Sequence, residues 1–69
     1  MQDLKTRVAE RIKERRLKIS VTQETLGKFA GVDRKTINRI ENGHFSPSMD
    51  TFFRLCIALD VEPEAILKS

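Results

Sequence analysis

Three residues, Gly31-Val32-Asp33, separate two stretches that each read as a short amphipathic helix, and this spacing is the tightest constraint in the chain. Upstream, Thr22 is a good N-cap, Glu24 sits favourably in the first turn, and Leu26 and Ala30 mark an inner face. Gly31 is placed to stop that helix in a left-handed conformation. Downstream, Asp33 is a good N-cap, Ile37 and Ile40 share one face, and Asn42-Gly43 ends the stretch. Gly27 has two readings. Its missing side chain permits a close helix approach, or it is an ordinary helix glycine costing about 1 kcal/mol.

The rest of the chain supplies walls for this unit. Leu4, Val8 and Ile12 recur every four residues, one stripe of a first helix capped by Asp3. Arg16 falls on the same stripe one turn later, and Lys18-Ile19-Ser20-Val21 reads as a connection. After Ser46-Pro47-Ser48, with Ser48 as cap, the residues Met49, Phe52, Leu55, Cys56 and Leu59 give a fourth helix its apolar stripe. Asp60-Val61-Glu62 breaks it, and Pro63 suits the first turn of a short last helix carrying Ile66 and Leu67. No stretch alternates as a strand does. An all-α, five-helix arrangement is expected, built as one domain over residues 1–69.

Charge is unevenly placed. Residues 1–45 carry 11 basic and 6 acidic groups, or +5, whereas residues 46–69 carry 2 basic and 4 acidic groups, or −2. The first part suits a polyanion; a solvated basic face is the bland alternative. One cysteine, Cys56, excludes an internal disulfide and fits a reducing, cytoplasmic setting. With one histidine and one cysteine there are too few ligands for zinc, so neither a metal nor a cofactor is expected. No apolar run approaches membrane-spanning length, and no leader pattern precedes the first helix. Scattered surface carboxylates with no nucleophile–base pair argue against an enzyme. Cys56 lies on an apolar stripe and reads as core. Phe29, Phe45, Phe52 and Phe53 lie on no strand and make no base-stacking platform.

Two short helices joined by a tight glycine-containing turn, over about residues 22–42, outline a helix-turn-helix. In such a unit the second helix enters the major groove with its N-terminal residues at base edges. Here it would run from about Asp33 to Glu41. Because Ile37 and Ile40 point inward, Arg34, Lys35, Asn38 and Arg39 point out. Arg and Lys can bond guanine O6 and N7, and Asn can bond adenine.

The run from Thr22 to Gly43, with Ile40-Glu41-Asn42-Gly43, Ser46-Pro47-Ser48 and Leu59-Asp60-Val61, resembles the Cro and phage-repressor (Xre-like) helix-turn-helix family. The resemblance covers roughly Val8 to Leu67. It implies a lambda-repressor-like fold and a DNA-binding transcriptional regulator. By position, Gln23 would contact a phosphate and brace the first recognition residue, while Arg34, Lys35 and Arg39 would read bases. Thr36 and Asn42 would hold the sugar-phosphate backbone, helped by the amides around Gly43. His44, in the turn that follows, is either a plain loop residue or a further phosphate contact. The chain departs from the family at Gly27, where Ala is usual, at Phe29, where a polar residue is usual, and at Asp33, where Ser or Thr is commoner. Phe29 reads as core filler at a helix edge or as a partner contact.

Periodicity points both Arg16 and Glu41 inward. Two unpaired buried charges are costly, so the two should pair; the resembling family has a matching pair. One reading helix offers little contact, so a homodimeric repressor on a near-palindromic operator is expected, joined around Ile57, Val61, Glu64, Ala65 and Ile66. The rival reading is an antitoxin-type interaction module that holds a toxin partner as well as DNA, through Phe29, Phe45, Phe53 and the acidic C-terminal part.

Overall fold

The computed structural model describes residues 3–68, so the expected domain limits at 1 and 69 lie outside the described residues. Five helices follow in order: α1 (Leu4–Lys18), α2 (Gln23–Ala30), α3 (Arg34–Glu41), α4 (Met49–Ala58) and α5 (Pro63–Leu67), with no strand among the described residues. Four of the five starts use the same device. Side-chain oxygens of Asp3, Thr22, Asp33 and Ser48 accept from the amides three residues on, satisfying donors that a helix start leaves orphaned. The fifth begins with Pro63, whose missing amide costs nothing there.

The stops are equally local. After α1, α3 and α4 the last turn closes with paired bonds of the Schellman type, such as Val21 N to Arg16 O at 3.1 Å and Val61 N to Cys56 O at 3.0 Å. That closure needs a left-handed residue. Gly31 ends α2 at φ 77° and Gly43 follows α3 at φ 74°, but Ser20 and Asp60 occupy the same region at φ 58° and 53°. A Cβ in this region is strained. Ser20→Gly and Asp60→Gly are therefore each expected to stabilise the domain by about 0.5–1 kcal/mol, after allowing for glycine's extra chain entropy. Thermal melting checks this as a rise of roughly 2–8 °C per substitution.

Packing follows the stripes. α2 lies against α3 and α4, and α1 against α3 and α5. Ile12, Leu26, Ala30, Ile37, Ile40, Leu55, Cys56 and Leu59 are essentially sealed from solvent in one core. Gly27 makes the close approach: a Cβ there would sit 2.4 Å from the Val32 carbonyl oxygen, so the turn between α2 and α3 rests on its bare backbone. α1 also clamps the C-terminal part. Arg15 donates from Nε to Leu59 O at 2.9 Å and from Nη2 to Asp60 O at 3.0 Å, and Arg11 Nη1 donates to Ile66 O at 3.1 Å. These guanidinium groups satisfy carbonyls at or near the ends of α4 and α5.

Three expectations need correction. Ile66 is 2% exposed and belongs to the core, because α5 folds its Ile66 side back towards α1; it is no part of an outward interface. Leu4 and Met49 lie on their helices' stripes but are largely exposed, since each stripe starts in the first turn, beyond its cover. Phe29 is not core filler: α2 turns Leu26, Gly27 and Ala30 inward, which leaves Phe29 73% exposed. Phe53 needs no correction: it stands half out of the core, tilted against Phe52 with ring centroids 5.8 Å apart.

Candidate nucleic-acid interface

α3 has two chemically opposite sides. Ile37, Ile40 and Glu41 are buried, and Arg34, Lys35, Asn38 and Arg39 are exposed, with Thr36 half-buried between them. The helix is fixed at both ends. At the start, Thr36 N donates to Asp33 Oδ1 at 2.7 Å. Hydrogen bonds from the Thr36 side chain and then its amide hold the Asp33 carboxyl below the usual aspartate value, so the cap is anionic at neutral pH. At the end, Gly43 N donates to Ile40 O at 3.1 Å and His44 N to Arg39 O at 2.9 Å.

That closure revises one expectation. The amides of Gly43 and His44 are used inside the chain to finish α3, so they are not spare donors for a phosphate. Gly43 contributes its left-handed turn instead. His44 remains an exposed loop residue next to it.

Beneath α3 lies a buried charge cluster. Arg16 meets Glu41 in a bidentate pair, Nε to Oε2 at 2.6 Å and Nη2 to Oε1 at 3.0 Å, and its third arm donates from Nη1 to Val21 O at 2.9 Å. The Glu41 side chain is 1% exposed. Gln23 turns its Nε2 onto Glu41 Oε1 at 3.1 Å. The amide expected to brace Arg34 thus braces the ion pair, linking the first residue of α2 to the last of α3. The cluster sets how α1, α2 and α3 meet.

The outer face is partly pre-arranged as well. Asn42 Nδ2 donates to Asn38 Oδ1 at 3.1 Å, one turn apart. The Arg39 guanidinium lies 5.7 Å from the centroid of the Phe45 ring. Arg34 and Lys35 have no such partner among the described residues. Sequence reasoning placed Phe45 on a partner-binding surface and missed its contact with Arg39. The only available signal was an aromatic six residues beyond an arginine, across a loop of unknown path.

Elsewhere the chain offers little chemistry. No group of three or more His, Cys, Asp or Glu side chains converges among the described residues, and none of the described helices is long and apolar enough to cross a membrane. Burial, aided by the negative charge of Glu62, pushes the Cys56 thiol up, leaving it neutral at physiological pH. Of the residues expected at a dimer face, Ile57 is 80% exposed, Glu64 and Ala65 are exposed and Val61 is half-buried.

Comparison with known proteins gives consistent matches. A helix-turn-helix family profile covers residues 12–66. An uncharacterised HTH-type transcriptional regulator of Archaeoglobus fulgidus is 39% identical over 56 residues, which cover 81% of this chain and 79% of that protein. The P22 c2 repressor, solved in complex with a synthetic operator, superposes with a TM-score of 0.83 at 34% identity, covering 88% of this chain and 92% of the solved one. The match spans only 28% of the full-length repressor of Salmonella phage P22. The restriction-modification controller protein C.AhdI of Aeromonas hydrophila superposes with a TM-score of 0.84 at 31% identity, again over 88% of this chain and 92% of that one.

Proposed function

This chain belongs to the helix-turn-helix family of DNA-binding transcriptional regulators, of Cro and phage-repressor type, and from that premise we propose that it is a repressor reading a near-palindromic operator as a homodimer. The observation that carries the reading is the division of α3. Its isoleucines and Glu41 anchor it, while Arg34, Lys35, Asn38 and Arg39 are left facing outward. These four side chains bear the donors that major-groove edges of guanine and adenine accept, and three bear the positive charge that phosphates attract. Arg34, Lys35 and Arg39 read bases, with Asn38 beside them. Thr36 and Asn42 face the sugar-phosphate backbone and set register without reading sequence, while Gln23 acts from beneath by bracing Glu41. Relatives that include an operator-bound repressor support this assignment.

A single eight-residue reading helix covers too few bases for tight specific binding, which favours two copies related by a two-fold axis. Ile57, Val61, Glu64 and Ala65 form the face for that contact. It lies in the part of the chain with net negative charge, where two copies can meet away from a polyanion.

Selection of bound duplexes from a random library tests the reading. Enriched sequences should be inverted repeats with half-site centres about 34 Å, one helical turn, apart. Their affinity should fall steeply with salt, as several phosphates are neutralised. Enrichment of no sequence, or of an unrepeated one bound by a monomer, would overturn the proposal.

A further inference from the structure

We propose that Phe45 is a positioning residue for sequence recognition: its ring pre-orders the Arg39 guanidinium at the base-reading face. This rests on the assignment of Arg39 as a base-reading side chain. The guanidinium carbon is 5.7 Å from the ring centroid, within the range where the negative face of an aromatic ring attracts a cation. The contact is built by the fold. Arg39's own carbonyl accepts the His44 amide at 2.9 Å, so the chain leaving α3 is tied to the residue whose side chain it will meet. Gly43, at φ 74°, turns that chain back, and Phe45 follows directly. The ring also lines an apolar groove with Val8, Pro47 and Phe52, and it is 43% exposed, so one part is held by the domain while another remains free for Arg39.

The chemistry of the contact matters more than its strength. A carboxylate partner would consume the in-plane N–H donors of Arg39. A ring engages only the face of the guanidinium and leaves its edge open for the paired acceptors O6 and N7 of guanine. An arginine on an open helix face samples many rotamers, and fixing one of them weakens binding. Phe45 restricts those rotamers before DNA arrives. Asn38, held by Asn42, is pre-ordered by a hydrogen bond; Arg39 is pre-ordered by a ring.

The test compares the full chain with Phe45→Leu, Phe45→Trp, Arg39→Ala and the Phe45→Leu/Arg39→Ala double variant. Each is titrated at fixed salt against the selected operator, against operators altered at single positions, and against random duplex. Phe45→Leu should lower discrimination at the position read by Arg39 by about two- to five-fold, the effect of an exposed cation–ring contact. Random-duplex affinity and melting temperature should not change. Phe45→Trp should keep the discrimination, and Phe45→Leu should add nothing once Arg39 is Ala. The proposal is overturned by equal loss on operator and random duplex, by a loss that persists without Arg39, by a Trp variant as impaired as the Leu variant, or by no loss at all. If Arg39→Ala itself leaves every position equally well discriminated, the base-reading assignment falls and Phe45's role falls with it. If Arg39→Ala removes discrimination and Phe45→Leu does not, only the positioning role falls.

Discussion

Arg16→Ala is expected to destabilise the domain by about 3–5 kcal/mol, the cost of breaking a buried ion pair from one side. The size follows from what is left behind. Glu41, with its side chain 1% exposed, would keep only the Gln23 amide at 3.1 Å, and the Val21 carbonyl would lose its 2.9 Å donor. A carboxylate left in that way has lost its compensating cation without gaining access to water. Domains this small hold only about 3–5 kcal/mol from a single core, so the variant should be largely unfolded at moderate temperature. The melting temperature should fall by roughly 12–40 °C if a transition can still be followed. A double variant, Arg16→Met with Glu41→Leu, separates the two costs. It removes the stranded charge, and buried pairs replaced by apolar residues of similar volume are often neutral or stabilising. It should therefore be more stable than Arg16→Ala. An unchanged melting temperature for Arg16→Ala would show that the pair does not hold the three helices together.

Arg34→Ala should weaken binding to the selected operator by about 1–3 kcal/mol, or about 5- to 150-fold, and relax preference at one base position. Arg34 is the first residue of α3, directly after its cap, and is exposed. The N-terminal end of a reading helix is the part that approaches base edges. Among the described residues no ring lies against it as Phe45 does against Arg39. Thr36→Ala provides the contrast. A phosphate-facing residue contributes to every duplex alike, so its loss should lower operator and random binding together. Competition titrations at one salt concentration decide between the two. Equal loss on both duplexes in the Arg34 variant would reassign it to the backbone.

These expectations draw on two layers of information. Caps, stops and stripes were legible because they are local. Asp3, Thr22, Asp33 and Ser48 bond to amides three residues on, and the left-handed stop at Gly31 and the helix end at Asn42-Gly43 each span one turn. The inward direction of Arg16 and Glu41 was legible for the same reason, since helical period alone carries each of them round to the apolar face. The α3 boundaries and its outward cations followed from Ile37 and Ile40.

The amino-acid order by itself thus determined where each helix starts, stops and turns its apolar side, because those interactions act within one or two turns. Only the tertiary structure decided which distant groups meet. It folded Ile66 inward, left Phe29 in solvent, drew Gln23 onto Glu41, set Arg15 against the Leu59 carbonyl and laid Arg39 over Phe45. Such contacts depend on the angles at which helices cross and on the path of short loops. Those angles are fixed by the packing of the whole core, including the bare backbone at Gly27, and no spacing along the chain encodes them.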